Sequence, residues 1–163
     1  MSVVAVKVTD EKIEIGADSI LVYGNTQEKH KLSKIEEVNG MIIGSVGSAQ
    51  EGALFRMYSR TRKPRSADCE SIVDFISDFH DWMKEKTGDN ELGNDHLLVF
   101  EKKVFAINGY YVKEVDDYDA IGAGMDFALS ALYLGKSCRD SIKASCHLSV
   151  YCEEPINMFE VKK

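Results

Sequence analysis

Three evenly spaced residues could between them run a hydrolysis. Ser2, Asp18 and Lys34 follow one another at intervals of 16 positions. With Met1 removed, Ser2 would carry a hydroxyl nucleophile and a free α-amine on one residue. An α-amine, with an ordinary pKa of about 8, can act as the base that a hydroxyl lacks. An ion pair of Asp18 with Lys34 beneath it would lower the proton affinity of that hydroxyl. The spacing alone leaves a plainer alternative open, in which Asp18 and Lys34 are ordinary surface charges. A small residue at position 2 generally permits removal of the initiator methionine.

Other chemistries find less support in the residue types. Cys69, Cys138, Cys146 and Cys152 form no CxxC pair and the four histidines are scattered, so no metal site is expected. Cys146 and His147 are adjacent, and neighbours on a helix or strand point apart rather than at each other. The opening MSVVAVKVTDEK lacks a basic stretch followed by a sustained apolar one, so no export signal is expected. Free thiols in a reducing cytoplasm follow from that. Twenty basic against 27 acidic side chains give a net charge of −7, which argues against a nucleic-acid partner. The one basic cluster, Arg56, Arg60, Arg62, Lys63 and Arg65, reads as a solvated helix end and the loop after it. No apolar run approaches the roughly 18 residues of a membrane span. The 163 residues, 44% hydrophobic and 29% charged, suit one domain over 1–163 with a sizeable core.

The elements that must position the three residues follow from periodicity. Val4, Val6 and Val8 alternate, as do Ile13 and Ile15, with a hairpin turn at Thr9–Lys12 between them. Ser19–Tyr23 continues extended until Gly24-Asn25. A strand over Lys31–Glu37, a turn at Asn39-Gly40 and an apolar strand over Met41–Val46 come next. A first helix follows Gly47-Ser48-Ala49, with Ala53, Leu54, Met57 and Tyr58 as its stripe, and Pro64 ends the region. A second runs from Ala67 to Lys86, with Asp68 as a candidate cap and Gly88 as the stop. Strands are expected at His96–Glu101, Lys103–Asn108 and Tyr110–Val115. The stretch from Ala120 opens a third helix, on which Phe127, Leu132 and Tyr133 read as core. A fourth helix spans Cys138–Cys146, and strands at Leu148–Cys152 and Asn157–Val161 close the chain. Strands, two helices, strands, two helices and strands imply an α+β fold, a four-layer αββα sandwich with two antiparallel sheets between helix pairs.

The stretches AVKV, IGADS, GNTQEKHKLSKIEEV, MIIGSVGSAQEGALF, AIGAGMDFALSALYLG and HLSVY, in this order and nearly without gaps, resemble the proteasome β-type family of N-terminal nucleophile (Ntn) hydrolases, most of all its bacterial HslV-like branch. The middle, about 61–94, matches in pattern only. The resemblance implies the same αββα sandwich. It also implies a homo-oligomeric ring protease that cuts unfolded chains in an enclosed chamber, supplied by an ATP-driven unfoldase ring. By position, Ser2 falls where the family has its N-terminal threonine, Asp18 on its aspartate and Lys34 on its lysine. Gly47 falls on the glycine whose backbone N–H is the oxyanion donor, while Ser48 and Ala49 would begin the substrate-pocket wall. Such a donor is typically worth about 3–4 kcal/mol in the barrier.

The chain also departs from the family pattern. Ala123 stands where a serine usually hydrogen-bonds near the terminal amine, Lys143 where an aspartate commonly lies, and Cys146 where Gly or Ser is usual. No cofactor is expected beyond a monovalent cation on the backbone carbonyls of Cys146, Ser149 and Cys152, as the bacterial branch can have. Aligning AVKV rather than Asp18 would put Met1, not Ser2, on the nucleophile and turn Ser2 away from Lys34. Three functions follow: an Ntn endopeptidase, a non-catalytic ring scaffold, or an amidase of small amides.

Overall fold

Val4 and Val6 point to one side of their strand and Val3 and Ala5 to the other, and each set has its own core to join. In the computed structural model, which describes residues 2–29 and 33–163, this strand is β1 (Val4–Val8). It lies between β2 (Lys12–Ala17) and β10 (Tyr118–Ile121), and β11 (Asn157–Lys162) closes the far side of β2. This four-stranded sheet is antiparallel, with Val4 opposite Ala17 and Ile121. A five-stranded antiparallel sheet packs on it, in the order β5 (Ile35–Val38), β6 (Met41–Val46), β7 (Asp95–Phe100), β8 (Lys103–Asn108) and β9 (Tyr111–Glu114).

Three cores hold the layers together. Val4, Val6, Ile13, Ile15 and Ala17 meet Ile35, Val46 and Leu97 between the sheets. Behind the five-stranded sheet, Phe55 and Tyr58 of α1 (Ala49–Ser59) pack with Ile72, Phe75, Ile76 and Phe79 of α2 (Cys69–Thr87). Behind the four-stranded sheet, Val3 and Ala5 meet Ala128 and Leu132 of α3 (Met125–Tyr133) and Ile142 of α4 (Cys138–Leu148). The result is the expected αββα sandwich. The second helix also ends as read: Asp68 caps it by accepting from Ser71 N at 2.8 Å, and left-handed Gly88 stops it.

Several expected elements differ. Thr26–Lys29 is a strand, β4, that pairs with β3 (Ile20–Tyr23) into a separate two-stranded hairpin around Gly24-Asn25. The next strand starts at Ile35 rather than Lys31; positions 30–32 lie outside the described residues. Tyr118–Ile121 is strand, not the approach to a helix, because the free edge of β1 binds it; α3 starts only at Met125. Leu148–Cys152 is no strand: β11 already holds the edge of β2, and these residues end α4 and turn, leaving Val150 83% exposed. The buried face of α1 runs through Glu51, Gly52, Phe55, Tyr58 and Ser59, with Met57 and Ala53 outside it. On α3, Leu132 is core, but Tyr133 is exposed and Phe127 partly so, since the helix has a sheet on one side only.

Candidate active site

The two sheets are joined at one end by a buried charge. Asp18 follows the last residue of β2, and its N–H donates to the carbonyl of Val3 at 3.2 Å. Its carboxylate is wholly buried and accepts four hydrogen bonds. Oδ1 takes Val3 N at 2.9 Å and Lys34 Nζ at 2.6 Å, while Oδ2 takes Ile20 N and Glu153 N, each at 3.2 Å. Lys34 arrives from the other sheet, one residue before β5, where its carbonyl accepts the N–H of Ser45 at 3.1 Å. Neither residue is a surface charge: the side chains are 0% and 13% exposed. Burial pulls the Lys34 pKa below the ordinary lysine value, and the adjacent Asp18 carboxylate partly opposes that.

Ser2 and Lys34 line the same cleft, of about 250 Å³, together with Gly47, Ser48 and Ala49. By pleat alternation Ser2 shares the inter-sheet side with Val4 and Val6. That is the side given by the gap-free count from Asp18. Ser2 is buried, and its carbonyl accepts the N–H of Gly124 at 3.1 Å. Met1, the nucleophile of the alternative register, lies outside the described residues.

Gly47 sits at φ +125°, between the end of β6 and the N-cap of α1. A Cβ there would overlap the side-chain carbonyl of Asn94, so glycine is required both by conformation and by space. Ser48 is the N-cap, its hydroxyl accepting from Glu51 N at 3.4 Å. The amides of this helix start therefore lie beside the cleft and favour negative charge there.

Long-range partners that the sequence does not advertise hold this turn in place. Asn94 grips Ser48 twice, accepting its N–H at 2.5 Å and donating to its carbonyl at 2.9 Å. Buried Glu51 in turn accepts from Gly93 N at 3.0 Å and Asn94 N at 3.2 Å. Ser145 of α4 donates to the carbonyl of Gly124 at 2.8 Å, steadying the residue that holds Ser2. Apart from the glycines, which mark turns, no local pattern could have picked these residues out.

The departures from the family pattern resolve differently. Lys143 is exposed on α4 and does not line the cleft with Ser2. Ala123 is exposed as well. Cys146 and Cys152 stay protonated: burial first, then the Asp18 charge, pushes their pKa values up to about 12 and about 11. Neither is a thiolate nucleophile. Of the three carbonyls expected to offer a cation site, that of Ser149 accepts the N–H of Cys152 at 3.3 Å. No group of three or more His, Cys, Asp or Glu suited to a metal ion occurs among the described residues.

The cleft also reaches Ser45, whose hydroxyl bonds the Nδ1 of buried His96 at 2.8 Å. Burial, helped by the nearby Arg56 charge, pushes the His96 pKa down to about 3. The unfolded chain protonates this histidine below about pH 6.5 while the folded chain does not, so stability is expected to fall with pH. At pH 5 the loss is about 2 kcal/mol. Urea midpoints at pH 7 and pH 5 check this: His96→Asn should show a correspondingly smaller difference between the two than the parent chain.

Comparison with known proteins bears on the architecture. No family model and no curated protein sequence matches the chain. Solved structures do. BPH from Thiobacillus denitrificans in complex with epoxomicin superposes with a TM-score of 0.90 at 21% identity, covering 98% of both chains. A second structure of BPH from Thiobacillus denitrificans gives 0.87 at 21% identity, over 98% of this chain and 97% of that one. Eukaryotic HslV from Trypanosoma brucei gives 0.76 at 15% identity over 99% of both. The fold is that of the HslV-like, proteasome-type Ntn hydrolases. At these identities the likeness concerns architecture, and the chemistry of the site rests on this chain's own residues. No helix among the described residues is long and apolar enough to cross a membrane.

Proposed function

We propose that this HslV-like protein is an Ntn peptidase that uses Ser2 to hydrolyse peptide bonds of unfolded chains. The observation that carries this reading is the buried Lys34–Asp18 pair, which bridges the two sheets in the cleft that Ser2 and Gly47 also line. Once Met1 is removed, the α-amine of Ser2 takes the hydroxyl proton as Oγ attacks the substrate carbonyl. The Lys34 ammonium, fixed by Asp18, lowers the proton affinity of Oγ without itself giving up a proton. The Gly47 N–H and the start of α1 stabilise the oxyanion. The tetrahedral intermediate collapses with the proton passing from the amine to the departing nitrogen, and water then releases the acyl group from Ser2. Every group used belongs to the chain.

In the same reading the protein forms a homo-oligomeric ring in the cytoplasm, fed by an ATP-driven unfoldase. The exposed Tyr133, Leu134, Leu148, Val150 and Tyr151 on and after α3 and α4 supply apolar surface for subunit contacts. The second reading, a ring scaffold that no longer cuts, is favoured by Ala123, which cannot supply the hydroxyl that a serine would place near the amine. Epoxomicin separates the two. This peptide epoxyketone offers a ketone to the hydroxyl and an epoxide to the free amine of the same residue. The peptidase reading expects intact-mass spectra without Met1 and a one-to-one adduct mapped to Ser2. A chain that keeps Met1 and takes up no epoxomicin is the scaffold.

A further inference from the structure

The cleft carries a charge pattern opposite to that of the chain. Acidic residues outnumber basic ones 27 to 20, yet the described residues lining the cleft include two cations, Lys34 and Arg56, and no carboxylate. Residues 1 and 30–32, outside the described set, contain no Asp or Glu either. Asp18 neutralises Lys34 from below, wholly buried. Among the described residues lining the cleft, Arg56 is the other cation, and its ion-pair partner Glu36 does not line the cleft.

Its placement is specific. Arg56 leaves α1 one turn after Gly52 and folds back toward the floor of the cleft. A methyl group on Gly52 would stand 3.5 Å from Arg56 Nη1 and 3.6 Å from Ser45 Cβ, so the missing side chain leaves space beside the guanidinium. Among the described residues, the one ion pair of Arg56 runs through Nε to Glu36 at 3.2 Å, and the Glu36 side chain is 42% exposed. That pair uses Nε, and no hydrogen bond from either Nη to a described residue occurs, so among the described residues the Nη fork is open to a carboxylate. The lining that Arg56 shares with Ser2 includes the apolar or small Val22, Val46, Ala49 and Ala53. Ser2 and Arg56 line the same cleft, so a side chain entering it next to a carbonyl attacked by Ser2 has a guanidinium within the same cavity.

We infer that the cleft selects substrates whose side chain next to the attacked carbonyl bears a carboxylate, aspartate or glutamate, and that Arg56 reads it. This rests on the peptidase reading above and names its substrate class.

The test uses Met1-free full-length protein and a matched series of N-acetyl tripeptide amide reporters that differ only in the last residue: Glu, Gln, Leu or Lys. Glu is expected to exceed Gln and Leu in kcat/KM by at least ~10-fold, since discrimination at a polar site follows from leaving its buried groups unpaired. Arg56→Gln should bring the Glu/Gln ratio to within about threefold while Leu cleavage persists, and Arg56→Lys should restore part of the preference. A wild-type preference for Leu, or a Glu preference that survives Arg56→Gln, overturns the inference but not the peptidase reading. If no reporter is cleaved, the peptidase reading fails, and binding of the corresponding non-cleaved tripeptide methylamides still decides the selectivity. Tighter binding of the Glu peptide that depends on Arg56 supports it, and equal binding of Glu and Gln peptides ends it.

Discussion

Ser2→Ala is expected to lower hydrolysis of peptide-amide reporters by at least ~10³-fold while leaving the melting temperature close to that of the parent. The first part follows from removing the nucleophile, because what remains is a binding cleft with an oxyanion donor and nothing to form the acyl intermediate. The second follows from what residue 2 does structurally. Its carbonyl accepts from Gly124 N at 3.1 Å, and alanine keeps that backbone bond. Alanine is also small enough for Met1 removal to proceed, so the terminal amine is unchanged. Intact mass and the kinetic assay on the same sample keep the two effects apart. Hydrolysis that survives in a variant shown to have lost Met1 would mean that another residue attacks. The protonated thiols of Cys146 and Cys152 are poor candidates for that role.

Much of this site was legible in the sequence, and what was missed has a common physical origin. Ser2, Asp18 and Lys34 could be named from their even spacing and their place in the family pattern, and for Ser2 and Asp18 the alternating strands β1 and β2 also count direction. The pleat places Ser2 with Val4 and Val6, and the β1–β2 hairpin returns Asp18 to the level of Val3. The layer order followed from the succession of strands and helices. The errors fell where pairing with a distant strand decides the outcome. Tyr118–Ile121 carries no strong alternation and becomes a strand because β1 has an edge to fill, while Leu148–Cys152 alternates and finds no edge. The hydrogen bonds that fix the Gly47–Ser48 turn and the Gly124 backbone were hidden for the same reason. Asn94 reaches Ser48 across 46 positions and Ser145 reaches Gly124 across 21, and a single sequence gives no sign of either. Lys143 shows the converse. The family position puts Lys143 where an aspartate commonly lies, whereas helical phase leaves its side chain exposed on α4.

Asp18→Ala should damage the fold and the chemistry together, and pH separates the two. The carboxylate satisfies three backbone N–H groups and the Lys34 ammonium, all at the closed end of the sandwich. Removing one partner of a buried pair leaves the other charge uncompensated, at a cost of about 3–5 kcal/mol. Lys34 already has its pKa lowered by burial, and Asp18 is the largest influence holding it up. Without Asp18 the depression deepens, so between the folded and unfolded pKa values of Lys34 the unfolded chain binds more protons than the folded one. Stability of the variant should therefore rise with pH toward the ordinary lysine value, and more steeply than in the parent. Urea unfolding at pH 7 and pH 9 reads that slope. Adding Lys34→Met should remove it and recover part of the lost stability, since an apolar side chain has no charge to desolvate. Neither recovery should bring hydrolysis back, because a neutral lysine or a methionine cannot lower the proton affinity of Ser2 Oγ. If Asp18→Ala costs under about 1 kcal/mol, or the double variant regains activity, the cross-sheet ion pair is neither the brace nor the electrostatic element assigned to it.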